Sequence, residues 1–270
     1  MNTGLLIIAA ALWGAASGSF LPRAAYRFSA PAGEPWRDSC PGGHALKGWL
    51  GRASCPHCEE AGEVAGGEAG GEAGEVAEGE AGEPADGEPG YGPRTAPLAI
   101  ATALVCAALA AATGTRPELG VWLLLAPVGV LLTAVDFRVR RLPDPLTLPF
   151  AGAALALLGL TALLPEHAGE WTTALLGSLA LGGGYFVLFL INPAGMGFGD
   201  VKLALGTGAV LGWYGWPTVM LGTFAGFLLG ALYGGALVVA RRADRKTAIA
   251  FGPFLITGAL LGLLVGAYTA

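Results

Sequence analysis

Apolar residues gather along the chain in long runs, each near the roughly 20 residues that a helix needs to cross a ~30 Å hydrocarbon core. The runs fall at about 3–21, 96–114, 118–135, 146–164, 171–191, 201–215, 217–240 and 250–268, which predicts eight transmembrane helices. An even count places both termini on one side, and the polar stretches between the runs then sort by charge. Residues 22–94, 136–145, 192–200 with Lys202 just beyond, and 241–249 hold 14 of the 15 Lys and Arg residues, leaving Arg116 alone on the opposite side. The positive-inside rule makes the first set cytoplasmic and puts both termini outside. No basic residue precedes the first run, whereas Arg23 and Arg27 follow it. That order is the reverse of a secretory signal and predicts a retained span.

The expected fold is therefore all-α: a polytopic membrane helix bundle of about eight transmembrane helices. It divides into a first helix (1–21), a cytoplasmic loop (22–94) and a seven-helix part (95–270). Composition agrees, since 54% hydrophobic and 13% charged residues are not the proportions of a soluble domain. The net charge of -5 misleads, because 11 of the 20 acidic residues lie between Glu59 and Glu88, where there is no Lys or Arg. Residues 59–92 repeat Gly, Ala and Glu and carry too little apolar area to offset their ordering entropy, so a disordered tether is expected there. In the later runs Gly222, Gly226, Gly230 and Gly234, then Gly258, Gly262 and Gly266, recur every fourth position. Small residues at that spacing let helix backbones approach closely where lipid supplies no hydrophobic drive.

Against this apolar background the acids are conspicuous. Gly195-Met196-Gly197-Phe198-Gly199-Asp200-Val201-Lys202 sets a carboxylate at the edge of a span, and Asp136 ends the third span on the same expected face. A charge at membrane depth costs about 2.5–3.5 kcal/mol on insertion scales, which makes such a residue a functional candidate. Asp136 also opposes the dipole of its own helix by ~0.3–1 kcal/mol. Asp144, by contrast, precedes Pro145 and an apolar run and reads as a helix N-cap. Two facing carboxylates share a proton: one stays ionised and activates water, while the other donates to a carbonyl oxygen, the chemistry of an aspartic protease. The alternative is a proton- or cation-coupled transporter. It is disfavoured because both acids sit at a boundary rather than at the midplane between repeats, and no second acid-bearing half is present. The glycines do not make a nucleotide site, since no Walker Gly-Lys-Ser/Thr follows them. No nucleic-acid partner is expected.

Cys40, His44, Cys55 and Cys58 read as Cys-x3-His-x10-Cys-x2-Cys. Three thiolates and one imidazole can make a closed tetrahedral zinc site. His44 ranks above His57, which lies inside the Cys-x2-Cys turn. Cys106 sits in an apolar span and reads as a small buried hydrophobe.

Gly197-Phe198-Gly199-Asp200-Val201-Lys202, Asp136 with Leu142-Pro143-Asp144 and Leu146-Thr147-Leu148-Pro149, and Phe251-Gly252-Pro253-Phe254 resemble the bacterial type IV prepilin peptidases. These are GxGD-type membrane aspartic proteases. Gly18-Ser19-Phe20-Leu21 and Tyr26-Arg27 match the family's N-terminal signature in the same way. The resemblance covers nearly the whole chain except the Gly/Glu tract. It implies that Asp136 and Asp200 are the catalytic pair, with Gly197, Gly199 and Lys202 as active-site motif residues. It also implies removal of short basic leaders from prepilins or type II secretion pseudopilins at the cytoplasmic face of the bacterial inner membrane, among membrane lipid. Zinc in the cytoplasmic loop is favoured by the resemblance, although the family usually has two Cys-x2-Cys pairs and here His44 stands in for the missing cysteine. Many members also N-methylate the new pilin terminus from S-adenosylmethionine. Here Pro22 replaces a usual Asn, so that second activity is an implication of family alone.

Overall fold

The computed structural model describes residues 2–31, 33–58, 90–193, 196–240 and 250–270. The greater part of the expected tether, and Gly195 ahead of the glycine turn, lie outside the described residues. Nine helices of eight residues or more are present among the described residues: α1 Thr3–Ser19, α2 Leu21–Phe28, α3 Thr95–Thr113, α4 Glu118–Val139, α5 Asp144–Thr161, α6 Trp171–Ile191, α7 Phe198–Gly212, α8 Trp216–Val239 and α9 Gly252–Thr269. Two isolated bridges, Ser39 with Ala45 and Ser54 with Gly90, are the extent of β pairing there. The fold is all-helical.

Six of the helices, α3 to α6, α8 and α9, are long and apolar enough to cross a bilayer, and α1 with α2, bent by 45° at their junction, brings the number to seven if the pair is counted as one span. The bend falls where Pro22 enters the first turn of α2, because proline removes an amide donor and crowds the turn before it. The remaining element, α7, has 15 residues, about 22 Å at 1.5 Å per residue. It is shorter than the hydrocarbon core, yet it is enclosed by α5, α6, α8 and α9. From Asp200 to Gly212 nearly every residue of α7 is buried, the all-round apolar pattern of a central helix. The protein is a multi-pass membrane protein.

Glycine decides how closely the helices surround α7. A Cβ on Gly208 falls 2.5 Å from the Gly177 carbonyl oxygen, and one on Gly212 falls 2.4 Å from the Thr173 carbonyl oxygen, so α6 and α7 meet backbone to backbone. A Cβ on Gly258 falls 2.4 Å from the Gly226 nitrogen, which joins α8 and α9 in the same manner. Gly14 and Gly18 of α1 likewise meet the backbone of α3. Phe150 of α5 enters the gap left by Gly206 of α7.

At the end of the bundle away from the acids, several elements meet at Glu118, which is fully buried. Its Oε1 accepts from the Tyr214 hydroxyl at 3.3 Å and from the Ala168 N–H at 3.4 Å, and lies 4.0 Å from Arg116. Arg116 also donates to the Ala267 carbonyl, pinning the end of α3 to the end of α9.

Candidate active site and candidate metal centre

Gly197 caps α7 with extended backbone, and Asp200 is the third residue of the helix, where a negative charge suits the helix dipole. Asp200 Oδ2 accepts from the Gly197 N–H at 3.2 Å, the reciprocal half of a capping box. Asp136 lies in the last turn of α4, which runs four residues beyond the span read from hydropathy. The helix stops at Arg140, held at φ 51° with its N–H on the Asp136 carbonyl. The unfavourable position of Asp136 on its own helix is offset from outside. Its Oδ2 accepts from the Gly252 N–H at 3.0 Å, so the free amide end of α9 points at this carboxylate.

Gly252 has to be glycine, since a Cβ there falls 2.7 Å from Asp136 Oδ2. Leu142, buried in the α4–α5 connection, fills the space between the two motifs: its Cβ is 2.8 Å from where a Cβ on Gly199 would stand, and its Cδ1 is 3.3 Å from that of Gly252. Gly197 faces no such constraint, its nearest neighbour being Asp200 Oδ2 at 3.5 Å. Both carboxylates are buried, and they lie within electrostatic reach of each other. Tyr185 of α6 is also within reach of Asp200. Its hydroxyl is buried with no hydrogen-bond partner among the described residues.

Lys202 turns away from Asp200. Its Nζ lies 2.7 Å from Asp144 Oδ1 and 4.9 Å from the Phe198 ring centroid. The expected capping role of Asp144 is therefore not the one observed. Pro143 holds the cap position without a side-chain bond, and Asp144 ties the start of α5 to α7. Gly252 and Leu142 entered the sequence reading only as members of family-matching segments with no role in the site, and Tyr185 did not enter it. The Gly252-Pro253 pair opening the last span was the available signal for the first of them.

In the loop, Cys40, His44, Cys55 and Cys58 converge with their ligand atoms all within 4.8 Å of one another. His44 Nδ1 lies 3.5, 3.6 and 3.4 Å from the sulfurs of Cys40, Cys55 and Cys58, and the Cys40 and Cys58 sulfurs are 3.6 Å apart. With Zn–S near 2.3 Å and Zn–N near 2.0 Å, the edges of a tetrahedral site come to about 3.5–3.8 Å, so the donors fit a zinc ion. The hairpin from Cys40 explains the altered motif. Gly43, where a second cysteine of a Cys-x2-Cys pair would stand, takes φ 81°. The Cys40 N–H bonds to the His44 carbonyl at 2.9 Å, and His44 delivers its ring in place of that thiol. His57 lies outside the set, its ring 5.1 Å from that of His44. Burial pushes the Cys40 thiol up, but the backbone and ring of His44 and the neighbouring thiols outweigh it and bring it down to about 6. The contact with Cys40, then burial, pushes Cys58 up to about 11.

Arginines dock this module onto α2 and α4. Arg23 donates to the Lys47 carbonyl at 2.9 Å and Arg27 to the Gly48 carbonyl at 2.6 Å, with Arg27 4.0 Å over the Trp49 ring. Arg141, next to Leu142, donates to the Pro31 carbonyl at 2.8 Å and lies 4.2 Å over Trp36. Cys106 is fully buried in α3, as expected.

Fold and site together define a helical multi-pass membrane protein with two buried carboxylates brought to one end of its bundle and, in the loop docked on α2 and α4, a cysteine/histidine cluster that could hold a metal. Residues 123–235, which include Asp136, Asp144 and Asp200, match the model of the type IV leader peptidase family. A prepilin leader peptidase/N-methyltransferase of Escherichia coli strain K12 is 31% identical over 62% of this chain and 71% of its own length. One of Aeromonas salmonicida strain A449 is 37% identical over 53% of this chain and 48% of its own. One of Stutzerimonas stutzeri is 27% identical over 98% of this chain and 92% of its own. The chain belongs to the type IV leader peptidase family. It spans about half the length of the Aeromonas relatives that it matches. No solved structure matches it.

Proposed function

We propose that this protein is a membrane aspartic endopeptidase that removes the leader of type IV prepilins or type II secretion pseudopilins at the cytoplasmic face of the inner membrane. Asp136 and Asp200 form the catalytic pair. The observation that carries this reading is the approach of the α9 N-terminus to Asp136, through Gly252, beside the Asp200 capping turn. It supports two carboxylates that differ in surroundings, one held by the N–H of another helix and one by the N–H of its own cap. The ionised member takes a proton from water, which attacks the scissile carbonyl carbon. The other donates its proton to the carbonyl oxygen; as the tetrahedral adduct collapses it takes a proton back from the adduct hydroxyl, the C–N bond breaks, and the first acid passes the proton it took from water to the leaving amine nitrogen. Leu142 and Gly199 set the separation, and Lys202, neutralised by Asp144, adds no strong field at Asp200. Gly197 gives its N–H to Asp200, and Gly199 leaves the room that Leu142 takes beside it.

The segments 1–21, 22–94 and 95–270 act as anchor, cytoplasmic loop and peptidase bundle, with both termini outside, a topology supported by the basic residues of the loops. Cys40, His44, Cys55 and Cys58 would hold zinc, whose chemistry there is structural: four protein ligands leave no open position. The printed names of the relatives support a second activity, N-methylation of the new pilin terminus from S-adenosylmethionine. No residue of this chain is assigned to it.

Cleavage of a purified prepilin by the solubilised protein tests the reading. Asp136→Asn and Asp200→Asn are expected to lose cleavage, and Asp144→Asn to keep it. Full cleavage by both of the first two variants would overturn the assignment. Labelled methyl transfer to the cleaved product decides the second activity.

A further inference from the structure

Below the acids the bundle is not closed. A cavity of about 250 Å³ lies among α3, α4, α5, α7 and α9. Its lining continues the helix faces that carry the site. On α4 the face runs Asp136, Thr133, Gly129, Leu125, Trp122, at spacings of three and four. On α9 it runs Gly252, Ile256, Ala259, Leu263, and on α7 it joins Asp200 to Thr207 and Val210. Residues three and four apart share a helix face, so the groove begins one turn from Asp136. It then descends about 16 Å along α4, at 1.5 Å per residue, to Trp122.

The groove offers almost nothing polar. The hydroxyls of Thr133, Thr207 and Thr257 bond to carbonyls of their own helices, at 2.9, 3.2 and 2.7 Å, which leaves their methyl groups to the cavity. A Cβ on Gly129 meets no atom closer than the Ile256 Cγ2 at 3.7 Å, so this glycine is spared by space rather than demanded by packing, unlike those that join the helix pairs. Ala101 of α3 and Thr257 of α9 are exposed at the rim, where the groove opens between these helices toward lipid. At the far end the two helices are pinned by Arg116 on the Ala267 carbonyl. An apolar void leaves its lining short of dispersion contacts, and water does not fill it.

We propose that this groove binds the apolar segment of the substrate that adjoins the scissile bond, entering sideways between α3 and α9. The inference rests on the peptidase reading and deepens it. Side chains at three- and four-residue spacing on a substrate helix fill the cavity, and the first turn of that helix delivers the scissile bond to Asp136 and Asp200. The continuity of one set of helix faces from acids to groove selects this occupant over a lipid acyl chain, which has no reason to end at the acids.

Two synthetic peptides test it with the full-length solubilised protein. Both carry a short basic leader and a Gly-Phe junction; one continues through a 15-residue apolar segment, and the other stops three residues after the junction. Gly129→Leu fills the groove and is expected to raise KM for the long peptide about tenfold or more, the scale of one misfit apolar group in a pocket, with little change for the short one. An equal effect on both peptides, or none, overturns the inference. In a second measurement, Leu260→p-benzoylphenylalanine is expected to cross-link to the apolar segment of the long peptide. Cross-linking to lipid alone, with the long peptide present and cleaved, overturns it. Failure of the wild type to cleave either peptide defeats the peptidase reading instead, and is told apart because no variant is needed to see it.

Discussion

In the bundle, Gly208 and Gly258 meet neighbouring backbones at distances that admit no side chain, and the helices hold by contact of main chain with main chain. In the loop between α2 and α3, order comes from a few side chains acting at long reach. Arg23 and Arg27 donate to carbonyls, Phe28 stacks on Trp49 with ring centroids 4.7 Å apart, and four donors converge on one point. A short segment with few buried apolar residues depends on such fasteners, whereas a bundle in lipid depends on close fit. The two regions should therefore fail independently, under different insults.

The largest expected effect separates chemistry from both. Asp136→Asn or Asp200→Asn removes one of the two groups proposed to move protons, worth about 10²–10⁴-fold or more each. Prepilin cleavage should fall to background while thermal stability in detergent and metal content stay unchanged. Next, Gly258→Leu forces a side chain into the backbone of α8, and overpacking of this kind costs ~1–3 kcal/mol or more. The melting temperature of the bundle in detergent should fall, with the metal retained until the bundle opens.

The converse insult is a strong chelator, or Cys55→Ser. Structural zinc sites fold only with the ion. Protease nicking within residues 22–58 should accelerate, while circular dichroism of the bundle stays unchanged. If the bundle melts with the loop, the two regions are one cooperative unit. The smallest effects belong to the contacts between regions and at the rim of the site. Lys202→Met breaks a pair whose Asp144 side chain is 60% exposed, and exposed pairs contribute ~0–1 kcal/mol. Cleavage should change by a few-fold at most. Arg141→Gln should act on a similar scale, read as faster nicking near Pro31.

Most spans were readable because membrane thickness fixes their length, the run at 201–215 being the exception as a 15-residue helix, and the cysteine/histidine cluster was readable because Cys-x2-Cys and a nearby His recur at coordination spacing. Asp136 and Asp200 stood out because acids are rare in apolar runs. Gly252 and Leu142 did not, since their part in the site depends on an approach between elements more than a hundred residues apart in one case, and on a gap between two glycines in the other. The Asp144–Lys202 pair was hidden for the same reason: Asp144 satisfied a local rule for capping, and the tertiary partner won. The central place of α7 was equally hidden, because a hydropathy run does not tell a helix that faces lipid from one that faces other helices.

The bond from Gly252 to Asp136 spans 116 residues. A ribosome adding about 5–20 residues per second needs on the order of ten seconds to cover that interval. Only over its last part, once Asp200 has been added, do both acids exist in the nascent chain, and until Gly252 follows, Asp136 lacks the helix end that faces it. A chain halted before α9 thus carries both acids without the N–H that holds one of them.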